Sequence, residues 1–262
     1  MVNPPQDSEA YRAKRAQLRR LLTVYGRKPV LEALQADSAR AYRLHLADSN
    51  KPAPILDQII ALATEQGAEV LYHSRQQLSR ISKNSKQDQG ICVDLECPGF
   101  EDAHDFLANN HQRNFELLAL DGITNPQNLG MIIRSATAGF VDGILLPEKG
   151  TAQIDALAIK ASAGTVFKAK VLRCQSLAET LAEYKKAGSE LYCLAGDGKE
   201  SLASLSGERP RIYILGNETD GVSSAVRKLA SHSLAIPMNN GVESLNVAVT
   251  AALLSFRKLF AG

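Results

Sequence analysis

The side chains best able to do chemistry gather in three polar, glycine-bearing turns of the C-terminal half. The first runs from Asp121 to Gly130 (DGITNPQNLG) and leads into MIIRSATAGF. Asn125 can cap a helix that Pro126 begins, since proline has no N–H to leave unpaired there. Leu129, Ile132, Ile133, Ala136 and Phe140 form an apolar stripe on that helix, so they read as core. Arg134 lies off the stripe, beside Gly130 and Ala138. A guanidinium so placed offers fixed positive charge to a phosphate or a developing oxyanion. Taken singly, an arginine on a helix is more often simply solvated.

The second turn is Leu215-Gly216-Asn217-Glu218-Thr219-Asp220-Gly221-Val222, where a hydrophobic strand stops abruptly. Glycine there lets backbone approach a ligand closely. The third runs from Ile236 through Pro237, Met238, Asn239, Asn240, Gly241, Val242, Glu243, Ser244 and Leu245 to Asn246. Ser244 is placed to cap the last helix, and Asn246 falls in its first turn, where unpaired backbone donors gather. Leu245, Val249, Ala252, Leu253, Phe256 and Phe260 give that helix one apolar face. By themselves Ser244 and Asn246 read as caps.

These turns need strands and helices to position them. From Phe115 onward the two alternate: FELLALD, helix 126–140, strand 143–146, helical IDALAIKASAG, strand VFKAKVL, helix LAETLAEYKKAG, then strands ELYCLAG and RIYILG. Helix SSAVRKLA, strand SLAIP and a closing helix SLNVAVTAALLSFRKLF follow. Such alternation predicts a mostly parallel sheet covered on both faces, with ligands at the carboxyl ends of its strands. Upstream, a short helix 29–34, strand YRLHLA, helix 54–66, strand 69–72, helix 75–81 and strand GICVDL make a smaller α/β layer. The expected organisation is a basic tail over 1–19, a first domain over 20–97, a linker over 98–113 that could hold a short helix, and a second domain over 114–262.

Composition narrows the classes. The hydrophobic fraction is 45% and the charged fraction 22%, which suits a soluble protein able to bury a core. No apolar run approaches the ~20 residues that span a bilayer, and the N-terminus lacks a signal-like apolar stretch, so a cytoplasmic protein with no membrane contact is expected. Cys92, Cys97, Cys174 and Cys193 make no CxxC pair, and no Cys/His group has metal-like spacing; they read as small buried hydrophobes, with no metal site. Residues 1–100 carry 14 basic and 11 acidic residues, against 16 and 17 in the remainder. Arg12, Lys14, Arg15, Arg19 and Arg20 account for much of the excess and could meet phosphates. Neither GxGxxG nor a P-loop occurs, which disfavours a dinucleotide or nucleoside-triphosphate site.

Together, in this order, NLGMIIR, LGNETDGV and IPMNNGVESLNVAV resemble the three motifs of the SpoU (TrmH) family of RNA ribose 2′-O-methyltransferases, within the SPOUT class. The likeness spans roughly residues 115–262. Residues 20–97, from YGRKPVLEAL to QGICVDL, are similar to the ribosomal-protein-like RNA substrate-binding domain that often precedes it, with Asp88-Gln89-Gly90 where relatives often have His-Gln-Gly. The resemblance implies an α/β trefoil-knot catalytic domain, a homodimer with each site near the subunit interface, and S-adenosylmethionine as cofactor. It implies RNA as substrate: ribosomal RNA of the large subunit, with transfer RNA the alternative. It also implies roles. Backbone at Gly216, Ile236 and Leu245 receives the donor's adenine and ribose, between walls of Leu215, Ile236, Met238 and Leu245. Arg134 meets the target ribose or phosphate, Asn128 orients Arg134, and Glu218, Ser244 and Asn246 hold the turns in register. A free guanidinium, with a pKa above ~12, is a poor base, so a charge role suits Arg134 better. A reading from another class is a non-catalytic RNA-binding or ribosome-assembly factor on the same fold, which would not bind the donor.

Overall fold

The computed structural model describes residues 17–259, apart from 37–38, 197, 199, 203–204 and 206–208. Arg12, Lys14, Arg15 and Phe260 lie outside the described residues. The chain divides into two compact units, residues 1–101 and 102–262.

The first unit is a four-stranded sheet in the order β1-β4-β2-β3. Its strands are β1 (Leu21–Tyr25), β2 (Arg40–Ala47), β3 (Glu69–His73) and β4 (Ile91–Glu96). Strand β4 is antiparallel to both β1 and β2, while β2 and β3 run parallel. Helices α1 (Arg27–Leu34), α2 (Pro54–Glu65) and α3 (Arg75–Ser82) complete the layer. Pro54 opens α2, and Ser74 with Gln77 forms a reciprocal capping box on α3. Strand β1 is an addition to the sequence reading: LLTVY follows a run of basic residues that masked its alternation. Leu22 and Val24 are buried in it.

The second unit opens through a short strand β5 (Phe100–Asp102) and helix α4 (Ala103–Asn110), capped by Asp102. The stretch read as a linker or a short helix thus holds the helix, and Ala103 and Phe106 join the core of the second unit. The remaining strands are β6 (Glu116–Leu120), β7 (Gly143–Pro147), β8 (Val171–Cys174), β9 (Glu190–Leu194), β10 (Glu200–Ser201), β11 (Arg211–Leu215) and β12 (His232–Ala235). The sheet order is β10-β12-β9-β11-β6-β7-β8-β5. Strands β6, β7, β8, β9, β11 and β12 pair in parallel. The chain lays β7 and β8 on one side of β6, and β11, β9 and β12 on the other. The carboxyl ends of β6 and β11 therefore meet at a switch in strand order, the place where open α/β sheets gather ligands.

Helices α5 (Pro126–Ala138), α6 (Ala156–Ala161), α7 (Leu177–Lys186), α8 (Ser224–Arg227) and α9 (Val247–Phe256) flank this sheet. Three local expectations change. Val166 and Phe167 sit in a 3₁₀ turn, and the strand begins only at Val171, because Ala163 and Gly164 take left-handed φ values of 50° and 75° that close the preceding helix. The helix expected over SSAVRKLA is a single turn. The last helix starts at Val247 with Asn246, not Ser244, as its cap: Asn246 Oδ1 accepts the Ala248 N–H at 2.8 Å.

The apolar face read on α9 is only part of its apolar surface. Val247, Ala248, Ala251 and Leu254 are buried, whereas Val249 and Leu253 are 49% and 39% exposed. Phe140, expected in the core, is exposed and packs edge-on against Phe256 at 6.2 Å. All four cysteines are free and buried, and burial pushes the Cys92 thiol up to about 12. Among the described residues, no helix is long and apolar enough to cross a membrane.

Candidate active site

The three turns meet on Asn128. This side chain is buried in the first turns of α5, where Asn125 Oδ1 accepts the backbone N–H groups of Gln127 and Asn128 and fixes the start of the helix. Asn128 Nδ2 donates to Glu218 Oε1 of the second turn, and Asn128 Oδ1 accepts from Asn246 Nδ2 of the third at 3.2 Å. An amide can do both at once, offering a donor to a carboxylate and an acceptor to another amide. Residues 90 and 118 positions apart are thereby held in register.

Two residues that sequence reasoning left without a role strengthen this junction. Asn217 Nδ2 donates to the Gly122 carbonyl at 2.8 Å, and Asn217 Oδ1 accepts the Thr219 N–H. Asp121, at the end of β6, accepts the Ser223 N–H at 2.7 Å, while its own N–H donates to the Leu215 carbonyl. The signal for both was their place: a polar residue within two positions of the end of a hydrophobic strand. Gly216 is required by the second turn itself, because a Cβ there would lie 2.2 Å from the Gly221 carbonyl carbon.

Beside the junction lies a cavity of about 590 Å³, lined by residues of the second and third turns together with Leu194, Leu234 and Thr250. Leu215, Gly216, Ile236, Met238 and Leu245, the expected donor-binding set, all line it, and so do Glu218, Ser244 and Asn246. Its charged lining is Glu218, Asp220 and Glu243 against Arg227. Arg227, Glu243 and Thr250 were not foreseen; they are ordinary surface types whose neighbours are set only by the fold. Ser244 is exposed and has no capping bond, so its place on the wall is what remains of its expected role.

Arg134 stands apart. It is exposed and does not line the cavity. Six residues beyond Asn128 on α5, it is ~9 Å further along the axis and two-thirds of a turn around it. Gly130, expected to leave room for Arg134, instead lets α6 approach: a Cβ there would lie 2.3 Å from the Ala158 carbonyl oxygen. Arg134 shares its helix face with Met131 and Ala138, both exposed, at the i, i+3, i+7 spacing of one surface. Among the described residues, no group of three or more His, Cys, Asp or Glu could hold a metal.

A parallel sheet whose carboxyl-end turns line a polar-rimmed cavity defines an α/β ligand-binding domain. Residues 116–256 match the SpoU rRNA Methylase family, and residues 23–98 match the RNA 2′-O ribose methyltransferase substrate-binding domain. A Mycobacterium sp. (strain KMS) protein described as an uncharacterized tRNA/rRNA methyltransferase is 32% identical, the match covering 96% of this chain and 82% of that one. One of the same description from Mycolicibacterium vanbaalenii is 34% identical over 88% and 74%. In fold, the chain is similar to an AdoMet-bound rRNA methyltransferase from Sinorhizobium meliloti (TM-score 0.60, 23% identity, covering 95% and 89%). It is likewise similar to the SpoU methyltransferase AviRb from Streptomyces viridochromogenes (TM-score 0.60, 21% identity, 97% and 95%). The chain belongs to the SpoU rRNA methylase family.

Proposed function

We propose that this chain is a cytoplasmic S-adenosylmethionine-dependent methyltransferase that modifies a ribose 2′-hydroxyl of ribosomal RNA. The observation that carries the reading is the convergence of three distant turns on Asn128 at the edge of one cavity. The cavity suits the donor. Its volume lies in the ~300–1,000 Å³ range of small-ligand sites. Its walls are apolar at Leu215, Ile236, Met238 and Leu245, and its three carboxylates outnumber its one guanidinium, which favours a ligand bearing a sulfonium and an ammonium. The names of the family and of the relatives, and the AdoMet-bound neighbours, support the same assignment.

Bound there, the donor supplies an electrophilic methyl group. The chain's own residues then orient and exclude. Backbone around Gly216, Ile236 and Leu245 receives the adenosine portion, and Asn128 with Glu218 and Asn246 keeps the turns at fixed separation. Ordering both reactants can contribute on the order of 7–11 kcal/mol at best. Arg134 holds the target ribose by charge and seats a neighbouring phosphate, whose oxygen takes the proton that the 2′-hydroxyl gives up as the methyl group arrives, while the guanidinium stabilises the developing alkoxide.

Because Arg134 does not line the cavity of its own subunit, the reading makes the enzyme a homodimer in which Arg134 serves the site of the other copy. Exposed Met131 and Phe140 follow α5, and exposed Val249 and Leu253 follow α9, which packs on it. A continuous apolar surface of this kind marks a protein interface. The family likeness also carries a threaded C-terminus. An experimental chain trace with the third turn lying outside every earlier loop would remove that element.

Three measurements test the whole. Titration calorimetry with S-adenosylmethionine should show saturable heat, and its absence would favour a non-catalytic RNA-binding factor. Mapping ribose methylations in a deletion strain should reveal one lost mark in large-subunit RNA; a mark lost only from transfer RNA would redirect the substrate. Val249→Asp with Leu253→Asp should give monomers in sedimentation and abolish turnover while the donor still binds.

A further inference from the structure

The first unit has a polar sheet face and a basic loop edge, and they differ in how their cations are used. On the face, charges are already paired. Arg43 Nε lies 2.8 Å from Glu69 Oε2, and His45 bridges Asp94 at 3.1 Å and His73 at 3.0 Å. On the edge, three loops bond to one another and leave their lysines free.

The third of these loops, residues 83–90, is tied down from inside. Its one carboxylate, Asp88, has no exposure: Oδ1 lies 2.5 Å from Arg75 Nη1 and accepts the Gly90 N–H, while Oδ2 accepts from Ser82 Oγ at 2.8 Å. The negative charge of the loop is thus consumed below the surface. Gln89 Oε1 accepts the Arg27 N–H at 2.9 Å, joining the loop to the start of α1. Arg27 Nη2 reaches Asn50 Oδ1 at 3.4 Å, and Asn50 Nδ2 donates to the Gly90 carbonyl at 2.7 Å, joining the loop after β2. Gly90 permits this: a Cβ would fall 2.3 Å from Asn50 Oδ1.

Around this bonded frame stand Lys28, Lys51, Lys83 and Lys86, all exposed, and none has an ion-pair partner among the described residues. The Arg27 Nε is buried with no hydrogen-bond acceptor. Asp48 is the exposed carboxylate of these loops. Exposed amides of Gln87 and Gln89 lie among the cations. Fixed lysines spaced over a rigid edge, with amides between them, fit a sugar–phosphate backbone carrying 2′-hydroxyls.

We infer that the loop edge formed by Gly26–Lys28, Asn50–Lys51 and residues 83–90 is where this protein grips the backbone of its RNA, rather than the sheet face. The inference rests on the RNA-methyltransferase reading and adds the surface and the residues by which the RNA is held.

The test uses the full chain and a fluorescein-labelled RNA hairpin, with affinity read across a salt series. Lys28→Ala/Lys83→Ala/Lys86→Ala should weaken binding roughly tenfold or more and reduce the slope of log affinity against log salt by about 2–3, one phosphate contact being worth ~0.7–0.9. The control Arg40→Ala/Arg43→Ala/Arg80→Ala removes the same charge elsewhere on this unit and should leave affinity within about threefold. Melting temperature and donor heat should match the wild type for both. Unchanged affinity and slope in the lysine variant, or an equal loss in the control, overturns the inference. So does equal competition by a DNA duplex of the same sequence. Absence of donor heat from the wild-type protein would instead defeat the methyltransferase reading, and the binding result would stand by itself.

Discussion

Strands β6 and β11 run side by side from a closed end of the second unit to an open one, and the two ends are built on opposite principles. At the amino ends, Glu116, Arg211 and Arg257 are each 9% exposed or less. Arg257 Nη2 donates to Glu116 Oε1 at 2.6 Å, and Arg211 lies between Glu116 and Glu190 at 3.8 and 3.7 Å. Tyr213, one strand position pair further on, has its phenol pushed up to about 12, first by burial and then by Glu116. At the carboxyl ends the strands stop in Asp121 and Gly216, the backbone turns outward, and amides rather than ion pairs join the loops around a cavity. Five residues separate a buried ionic clamp from an open site. The clamp holds the sheet and the last helix, so the turns at the other end can remain polar and solvent-reached.

The contrast predicts that changes at the open end remove activity with little loss of stability, and changes at the closed end do the reverse. The largest effect belongs to Arg134→Ala, expected to lower methyl transfer by about 10²–10³ or more while melting temperature and donor affinity stay put, since the side chain is exposed. Near-normal turnover on the proper RNA would take Arg134 out of the mechanism. Gly216→Ala comes next. A methyl group inside the second turn forces it off Gly221, so donor heat should disappear in calorimetry, and retained affinity would mean that the turn yields without cost.

Glu116→Ala probes the closed end. It takes the carboxylate from the buried Arg257 and one of two from Arg211, and breaking a buried pair costs about 3–5 kcal/mol, which corresponds to a melting-temperature drop of roughly 10 °C. Donor affinity below that temperature should be unchanged; a loss of donor binding equal to that of Gly216→Ala would erase the distinction between the ends. Smallest is Ser244→Ala. Ser244 caps nothing, so turnover should fall by less than ~10-fold, an amount consistent with one hydrogen bond to a ligand.

The open end could be read in the sequence because its requirements are local. Glycine after a strand, asparagine before Pro126 and an amide at the head of the last helix each state a backbone need within a few residues. The closed end could not. Glu116, Arg211 and Arg257 are ordinary charged residues until the sheet places three strand starts and a helix end together. The last helix was open for another reason: VAVTAALLSF is apolar almost all round, so its period does not select a buried side. The side chosen, Val249 and Leu253, is the one left bare. Arg134 was recognised by its motif, yet its distance from the cavity of its own subunit is a matter of helix geometry that no motif states.

The clamp has a consequence for synthesis. Glu116 leaves the ribosome 141 residues before Arg257, the partner that neutralises it. Until those last residues emerge, the central strand carries a carboxylate that cannot be sealed inside, and Arg211 arrives to only half of the arrangement. The second unit therefore cannot complete its packing around Glu116 before Arg257 has been made. A chain stalled before Arg257 would be left unfinished at the middle of its sheet.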